Sequence, residues 1–456
     1  MIPTLRKYLP PITLPVIFFA LIVCLGAILL HSGSSHGDKN LSWTDAVFTA
    51  TSAVCVTGLT VVDTGSFFNG FGQGTILLLI QVGGLGIMTF TSLLFYLWRQ
   101  RVSLTDQIAV GQAILRDSSS HLGSFLKQML LMTLLIEIGG ALLLFLAAPS
   151  SISPYSAVFH AVSAFCNAGF ALHPDSLVAW KGNWPVNLIV MALIIIGGLG
   201  FSVLLELRIF FAGLLGKSTG RKKPPRLSWY ALTVIKTSLA LILAGWAAIF
   251  LAEFIGFQKP ANWSESILAA LFQSVTCRTA GFNTLDIGNM TNISLLLMIV
   301  LMFIGGAPGS CAGGIKVSTF RVFWAFIISQ LQGRNQVIVG RFAISGKDVS
   351  RTLILIIFTA VVIFSATLLL SATEGGNIPH PQARGQLLEI LFEVVSAMGT
   401  VGLSTGLTAK LSTPGKWIVI LLMFIGRLGP LVFLAVLQEL RRDKLYLLPE
   451  ENIMIG

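Results

Sequence analysis

Eight long apolar stretches dominate the pattern of hydrophobic and polar positions along the chain. Five contain no charged residue, at 8–31, 64–98, 182–205, 287–315 and 352–373. Three contain a single charge each, at 128–147, 227–252 and 417–438. Each exceeds the roughly 18 residues that mark a candidate spanning helix, and lipid requires a backbone that satisfies its own hydrogen bonds. The pattern therefore predicts eight transmembrane helices.

A shorter amphiphilic segment lies between the two apolar stretches of each pair. These four segments occupy 43–53, 156–165, 263–275 and 387–398. With about ten to thirteen residues, each is too short to cross ~30 Å of hydrocarbon at ~1.5 Å per residue. We therefore expect half-helices that enter the membrane and return, so that the unit helix, half-helix, helix occurs four times.

The same glycine context follows each half-helix. Gly58, Gly169, Gly281 and Gly402 are separated by 111, 112 and 121 residues. A unit repeated four times at that period can close into a ring around one axis. Glycine permits the unusual φ and ψ angles that turn successive carbonyl oxygens to one side, where they can replace the water around a cation. Alternatively, each glycine is a helix C-cap or a packing residue.

We therefore predict a selectivity filter that binds a cation through backbone carbonyl oxygens, with three residues from each unit. The predicted filter residues are Val56, Thr57, Gly58, Asn167, Ala168, Gly169, Thr279, Ala280, Gly281, Thr400, Val401 and Gly402.

Composition indicates a membrane protein and argues against a nucleic-acid-binding protein or an enzyme. Of 456 residues, 54% are hydrophobic and 11% are charged, whereas soluble domains carry roughly 25% charged residues. The net charge of +11 comes mostly from basic residues between the units and at the two ends, which indicates cytoplasmic loops and cytoplasmic termini rather than a nucleic-acid surface. The five cysteines form no CxxC pair, and the helices carry no catalytic constellation. We expect no metal cluster, no covalently bound cofactor and no enzymatic activity.

Glycine clusters occur in the second helix of every unit, and two of them are unusual. Arg427 stands where the sister clusters have glycine, and an arginine at mid-membrane is costly unless it faces water or a partner. We expect it to face the pore, where it repels cations or anchors a gate; the alternative is a helix-pairing arginine. In unit three, the glycine-rich run 305–314 interrupts a largely apolar stretch that is too long for one span, and we expect a movable loop there, or else a static kink. The predicted gate residues are Arg427, Gly305, Gly306, Gly309, Ser310, Gly313 and Gly314.

Charged residues near the glycine motifs allow two interpretations. Asp63, Asp175 and Asp286 form either an acidic outer rim that gathers cations or the caps of local turns. Arg278 directly precedes the third motif, and we expect it to brace that motif through a carboxylate such as Glu393.

Polar residues within the apolar segments are expected to have local roles. His160 is expected to be a packing residue. Glu137, Lys236 and Glu253 either pair or snorkel, or else relay protons in an active transporter.

The four glycine motifs resemble the four filters of the Trk/Ktr/HKT superfamily, over nearly the whole chain. Arg-Thr-Ala-Gly-Phe-Asn at 278–283 favours the Ktr branch. The resemblance implies potassium uptake, four M1-P-M2 units in one chain, a homodimer, and a cytoplasmic regulatory ring that binds ATP or ADP. It also implies that Arg427 lies in the pore and that unit three carries a gating loop. Cys55 and Cys166 stand where the family has Thr, Ser or Asn, so the preference between Na⁺ and K⁺ stays open.

Together these features predict an all-α protein of the bacterial plasma (inner) membrane, with four M1-P-M2 repeats around a central pore and eight transmembrane helices. K⁺ would enter down its electrochemical gradient, with or without a requirement for Na⁺; the alternative is a Na⁺- or H⁺-coupled potassium symporter. The predicted repeats are 1–98, 123–212, 227–332 and 351–440. The predicted cytoplasmic segments are 99–122, 213–226, 333–350 and the tail 441–456.

Overall fold

The computed structural model describes most of the four units. The described residues are 14–37, 39–86, 122–214, 226–255, 262–376, 379, 381–383 and 385–429. Three predicted cytoplasmic segments lie wholly or largely outside the described residues: the loop 99–122 except for its last residue, most of the loop 213–226, and the tail 441–456. So do residues 87–98 of the apolar stretch 64–98.

Units one and two each contain a long first helix, a short helix and a second helix. The helices of unit one are α1 (Leu14–His31), α2 (Trp43–Val54) and α3 (Gly70–Gly84). Unit two contains α4 (Leu122–Ala147), α5 (Pro154–Phe165), α6 (Trp184–Gly198) and α7 (Phe201–Leu214). Short helical turns lie at Gly33–His36, Thr64–Phe67 and Val178–Trp180.

Units three and four have the same order of elements. Unit three contains α8 (Trp229–Ile249), a π-helical continuation at Phe250–Ile255, α9 (Trp263–Thr276), α10 (Asn292–Phe303) and α11 (Val317–Leu331). Unit four contains α12 (Gly346–Gly375), α13 (Gln386–Gly399) and α14 (Thr413–Leu428). Further helical turns lie at Ile287–Asn289 and Thr408–Lys410.

Serine caps set the start of several helices. The hydroxyl oxygens of Ser42, Ser153 and Ser412 each accept a hydrogen bond from the backbone N–H three residues later, at 3.1, 3.2 and 3.3 Å. Such caps satisfy backbone donors that have no partner within the helix. The short helices α2 and α5 and the second helix of unit four therefore begin at positions that the sequence itself specifies.

The four short helices α2, α5, α9 and α13 form the centre of the molecule. At equivalent positions they carry phenylalanines with no exposed surface: Phe48, Phe159, Phe272 and Phe392. The second helix of each unit packs against the short helix of the next unit: α3 on α5, α6 on α9, α10 on α13, and α14 back on α2. An ion pair of 2.6 Å between Lys416 and Asp45 joins the last unit to the first. The four units are thus arranged in a ring, with the short helices inside.

Some of the helices around the four short helices are long and apolar enough to cross a membrane. Among the described residues, three helices pass that test, at Lys127–Ala147, Trp229–Phe254 and Gly346–Gly375. A fourth span results if the bent pair α6 and α7 is taken as one. The remaining apolar helices are shorter, so the mostly helical architecture is as predicted, while the count of eight spans stays a prediction.

The second helix of unit two differs from the sequence-based expectation. The stretch 182–205 predicts one continuous helix, but α6 ends at Gly198 and the chain bends by 110° into α7. The bend occurs at Gly200, which has a left-handed φ of 85°. Beyond it, the Phe201 N–H donates to the Gly309 carbonyl oxygen of unit three at 3.1 Å. Contact with unit three therefore accompanies the break.

A small β-hairpin departs from the predicted all-α fold. Strands β1 (Ile338–Val339) and β2 (Phe342–Ala343) pair antiparallel, with Gly340 at a φ of 66° in the turn. The hairpin lies in the predicted cytoplasmic segment 333–350. Its two-residue strands are too short for the alternating pattern that predicts a strand.

Candidate functional site: a ring of four glycine loops

Each short helix ends in the same left-handed turn. The residue two positions before the motif glycine has a positive φ in every unit: Val56 at 55°, Asn167 at 58°, Thr279 at 72° and Thr400 at 50°. The motif glycines follow with φ of 91°, 69°, 79° and 90°. The residue between them is not in the left-handed region. Such an alternation turns successive carbonyl oxygens toward one side of the chain.

Hydrogen bonds at the helix ends explain these turns. In units one, two and four, the N–H just before the glycine donates to a carbonyl five residues earlier, for example from Thr57 to Ser52 at 2.8 Å. In unit three, Ala280 donates to Thr276 instead, four residues earlier, at 3.0 Å. The first pattern is a Schellman-type helix end, which requires a left-handed residue at its corner. Non-glycine residues occupy that corner, so the surrounding structure must hold them there.

A hydroxyl from each short helix also fixes its loop. Ser52 and Ser396 accept hydrogen bonds from the N–H groups of Gly58 and Gly402, both at 3.1 Å. In the other two units the hydroxyl donates to the carbonyl oxygen that follows the glycine. Those bonds run from Ser163 to Phe170 at 2.8 Å and from Thr276 to Phe282 at 2.6 Å.

The four glycines meet in one closed ring. A β-carbon placed on Gly58 would lie 3.0 Å from the Cα of Gly169, and one on Gly169 would lie 2.8 Å from the Cα of Gly281. A β-carbon on Gly281 would lie 3.3 Å from the Cα of Gly402, and one on Gly402 would lie 3.0 Å from the Cα of Gly58. The order around the ring is therefore one, two, three, four.

Carbonyl oxygens occupy the space between the glycines. Each added β-carbon would approach the carbonyl oxygen that precedes the next glycine, at 2.4 Å for Ala168, 2.9 Å for Ala280, 2.5 Å for Val401 and 2.0 Å for Thr57. Any side chain at these positions would collide with backbone. The C-cap reading of the glycines is therefore insufficient on its own, because the ring requires glycine for close approach as well as for φ.

The broken helix of unit three forms a loop, residues 304–316, that contacts unit two. The Ala307 N–H donates to the Gly198 carbonyl at 2.9 Å, and the Cys311 N–H donates to the Gly197 carbonyl at 3.2 Å. Of the predicted gate residues, Gly309 and Gly314 have positive φ, and the Ser310 hydroxyl donates to the Ala307 carbonyl at 2.6 Å.

The two ends of this loop are joined to each other. The Gly305 N–H donates to the Ile315 carbonyl at 2.8 Å, and the Gly306 carbonyl accepts from the Val317 N–H at 3.0 Å. The Lys316 ammonium donates to the carbonyl of Ala312 at 2.7 Å and to that of Gly313 at 3.4 Å. The loop is thus an irregular segment that hydrogen bonds hold to itself and to unit two, as irregular backbone at membrane depth requires.

Arg427 connects this loop to unit one. Its guanidinium is buried and donates one hydrogen bond to the Cys311 carbonyl of the loop and one to the Gly83 carbonyl of α3. Within the described part of the chain, its Nε has no hydrogen-bond partner. One side chain of unit four therefore bridges units one and three.

The glycine clusters lie against the ends of the short helices. A β-carbon on Gly83 would lie 2.0 Å from the Val54 carbonyl oxygen, and one on Gly197 would lie 1.8 Å from that of Phe165. In unit four, Gly426 has the same relation to the Met398 carbonyl, at 2.2 Å. Close helix packing is the reason for glycine at these three positions. In unit three, Gly305 faces the Gly313 carbonyl of its own loop instead, at 2.1 Å.

The expectation that Arg278 braces its loop through Glu393 is wrong. Arg278 donates to the Ser238 hydroxyl and the Gly305 carbonyl, both at 3.2 Å. Glu393 instead accepts from the Thr405 N–H at 3.2 Å and from the hydroxyls of Ser404 and Thr408. Arg278 therefore makes its contacts within unit three, and Glu393 makes its contacts within unit four.

Two of the three predicted rim aspartates cap turns. Asp63 accepts from the Ser66 N–H at 2.7 Å, and Asp286 accepts from the Gly288 N–H at 3.1 Å. Burial lowers the pKa of the His173 imidazole, and the negative charge of Asp63 partly offsets this shift. Asp175 makes no side-chain hydrogen bond to any of the described residues. The capping interpretation holds for Asp63 and Asp286, and a role in gathering cations stays a prediction.

Three of the polar residues singled out in the sequence make contacts with neighbouring side chains. His160 is buried and stacks on His173 with ring centroids 5.6 Å apart, in agreement with a packing role. Glu137 accepts from Gln81 of α3 at 3.1 Å, and Glu253 accepts from Thr291 and Ser294 at the start of α10. Sequence reasoning missed Lys316 and the serines that hold the loops, because single polar residues in apolar segments carry no spacing signal.

The arrangement defines a class: an apolar helical membrane protein with a central ring of backbone oxygens, typical of proteins that pass ions. A family model described as TrkH, cation transport protein, matches residues 16–445, and the chain belongs to that family.

Among similar proteins, the chain is 36% identical over 433 residues to the Ktr system potassium uptake protein B of Bacillus subtilis, covering 94% of this chain and 92% of that protein. It is 34% identical over 459 residues to the potassium/sodium uptake protein NtpJ of Enterococcus hirae, covering 99% and 98%. The crystal structure of the potassium transporter TrkH from Vibrio parahaemolyticus has a similar fold, with a TM-score of 0.72, 21% identity, and coverage of 94% of this chain and 84% of that one.

Proposed function

We propose that the protein takes up potassium across the bacterial plasma membrane through a gated pore with a selectivity filter. In this proposal, eight spanning helices form four M1-P-M2 units around the pore. The closed ring of Gly58, Gly169, Gly281 and Gly402 carries the proposal, because it brings four equivalent backbone loops to one axis. The names of the similar Ktr proteins support potassium as the substrate.

The filter chemistry follows from the ring. A dehydrated K⁺ needs several oxygen ligands, and backbone carbonyls provide them without a titratable group. The carbonyls between the glycines belong to Thr57, Ala168, Ala280 and Val401. The residues before them, with their left-handed φ, would add a second layer of oxygens: Val56, Asn167, Thr279 and Thr400.

The unit-three loop and Arg427 would form the gate. The loop contacts unit two through Gly197 and Gly198, and Arg427 holds its Cys311 carbonyl next to unit one. A segment tied to neighbours on two sides is suited to closing the path. Opening would require Arg427 to release the loop.

A matched pair of glycine variants tests the filter. Gly402 and Gly406 have φ of 90° and 96°, so alanine suffers similar backbone strain at both. A β-carbon on Gly402 would meet the Thr57 carbonyl at 2.0 Å, whereas one on Gly406 would meet nothing within 4 Å. In a potassium-uptake-deficient strain, Gly402→Ala is expected to abolish growth at low K⁺ and Gly406→Ala to preserve it. Equal growth of both variants contradicts a filter at the ring.

Single changes of the ring glycines to serine extend this test to every unit. Gly58→Ser, Gly169→Ser, Gly281→Ser and Gly402→Ser are each expected to lower uptake or alter Na⁺/K⁺ discrimination. Normal uptake and discrimination in all four variants would remove the filter from the account.

A Na⁺- or H⁺-coupled potassium symporter is the second candidate, because one similar protein is named a potassium/sodium uptake protein. Purified protein in liposomes separates the two mechanisms. A passive pore follows the K⁺ gradient alone, whereas the reversal potential of a symporter depends on the coupling ion. Whether Na⁺ is required for K⁺ flux is read from the same preparation.

The proposal also includes partners. It comprises a homodimer and a cytoplasmic ring that binds ATP or ADP and controls the pore; support comes from the likeness to Ktr system proteins. The exposed basic residues Arg334, Arg341 and Lys347 near the β-hairpin are candidates for docking that ring. Co-purification with and without nucleotide, followed by mass measurement of the complex, tests both associations.

A further inference from the structure

One position on the short helices carries a polar side chain in all four units. It directly follows the buried phenylalanine of each helix. The four residues are Thr49, His160, Gln273 and Glu393, and all are buried. Burying a polar group costs free energy unless the group is hydrogen-bonded, so the partners of these four side chains show which of them have a structural role.

In units two and four, this residue reaches the same point of its own loop. The Leu172 N–H donates to Nε2 of His160 at 3.4 Å, and the Thr405 N–H donates to Oε1 of Glu393 at 3.2 Å. Leu172 and Thr405 each lie three residues after their ring glycine. Two different side chains, an imidazole and a carboxylate, therefore accept the equivalent hydrogen bond.

Both acceptors are themselves fixed. The Nδ1 of His160 lies 2.7 Å from the Ser156 carbonyl and can only donate to it, which leaves Nε2 of the neutral ring as an acceptor. Glu393 also accepts from the Thr408 hydroxyl at 2.7 Å and from the Ser404 hydroxyl. Neither side chain can turn away without losing further hydrogen bonds.

Units one and three lack this bond. Within the described residues, neither the Thr49 hydroxyl nor the Gln273 amide has a hydrogen-bond partner. Because the ring order is one to four, the two braced loops lie opposite each other. A fourfold frame thus carries a twofold pattern of support.

The braced loops are anchored on both sides of their ring carbonyl. On the inner side, the Ala168 N–H donates to Ser163 at 2.7 Å and the Val401 N–H donates to Ser396 at 2.8 Å. On the outer side, His160 and Glu393 hold the N–H three residues beyond the glycine. Two-point anchoring fixes how closely the opposed carbonyls of Ala168 and Val401 can approach an ion.

We infer that His160 and Glu393 are positioning residues for ion discrimination: they hold two opposite filter loops at the spacing that suits K⁺ and prevent them from closing on the smaller Na⁺. This inference rests on the proposed filter. It assigns the discrimination to two hydrogen bonds rather than to the buried polarity of all four positions.

Variants at the four positions separate these explanations. His160→Phe and Glu393→Leu remove the acceptor, while His160→Gln and Glu393→Gln retain one. Thr49→Val and Gln273→Met are matched controls, because they remove buried polarity without removing a brace. The readout is the Na⁺-to-K⁺ permeability ratio from bi-ionic reversal potentials of purified protein in liposomes.

The acceptor-free variants are expected to raise that ratio about threefold to tenfold, which is the equilibrium effect of one hydrogen bond. The glutamine variants and the two controls are expected to keep the wild-type ratio. A wild-type ratio in His160→Phe and Glu393→Leu overturns the inference, and so does an equal rise in Thr49→Val and Gln273→Met.

Two further comparisons keep the result decisive. If Glu393→Leu does not fold, His160→Phe still decides, because it replaces one aromatic ring by another of similar size. If the wild-type protein itself shows no K⁺ selectivity, the proposed filter fails; a selective wild type with unchanged variants refutes only the positioning role.

Discussion

Replacing Arg427 should open the pore, and the structure gives the size of the effect. The guanidinium donates to the Cys311 carbonyl of the loop and to the Gly83 carbonyl of α3. Hydrogen bonds from a charged donor contribute ~1.5–3 kcal/mol each, so the two favour the closed loop by about 3–6 kcal/mol at most. Since about 1.4 kcal/mol is a factor of ten, the closed-to-open ratio falls by up to ~10²–10⁴. We expect Arg427→Gln to raise K⁺ flux by at least about tenfold.

A lysine variant distinguishes a latch from an electrostatic barrier. Arg427→Lys retains the positive charge but presents its donors from one nitrogen and cannot span two carbonyls as the planar guanidinium does. If Arg427 is a latch, ⁸⁶Rb⁺ flux into liposomes rises in both Arg427→Lys and Arg427→Gln. If it acts by repelling cations, only Arg427→Gln shows the rise. Wild-type flux in both variants, at equal amounts of folded protein, would show that Arg427 neither holds the loop closed nor repels cations.

Three further predictions concern the gate and the assembly of the ring. Replacing residues 305–314 with a short rigid linker should raise K⁺ flux, since the loop can no longer close the path; unchanged flux and unchanged regulation would exclude a gate there. Lys416→Met should lower the stability of the detergent-solubilised protein, because it breaks the 2.6 Å ion pair with Asp45 that joins units four and one. The expected loss is on the order of 1–3 kcal/mol, between the values for exposed and buried ion pairs. Adding Asp45→Asn to this variant should shift the melting temperature no further. Glu253→Ala should also lower the melting temperature, since it removes the acceptor for the Thr291 and Ser294 hydroxyls at the start of α10, while the Na⁺-to-K⁺ permeability ratio stays at the wild-type value; a shifted ratio would contradict a purely structural role.

The helical architecture was predictable because hydrophobicity and glycine spacing are strong signals. The apolar stretches predict the helices, and the period of the glycine motif predicts a cyclic arrangement. The order of packing, each second helix on the next short helix, is not visible in the sequence. It depends on shape, as at Gly84, where an added β-carbon would lie 2.5 Å from the Cys166 sulfur of the next unit.

Side-chain partners were much harder to predict than the fold. Arg278 was expected to contact the carboxylate of Glu393 in unit four. It donates instead to the Ser238 hydroxyl and the Gly305 carbonyl, which belong to its own unit. The bend at Gly200 was also missed. A glycine in an apolar run does not by itself break a helix. The hydrogen bond from the Phe201 N–H to the Gly309 carbonyl of unit three joins residues far apart in the chain, so the sequence gives no local signal for it.

Ion occupancy at the glycine ring is the most direct test of a selectivity filter there. Crystals or grids of the protein prepared in Rb⁺ or Tl⁺, which substitute for K⁺, reveal bound ions through anomalous scattering or density differences. If the ring is a filter, an ion lies on the axis between the carbonyl oxygens of Thr57, Ala168, Ala280 and Val401. Ions found only beside surface carboxylates such as Asp175, with none at the ring, would contradict it.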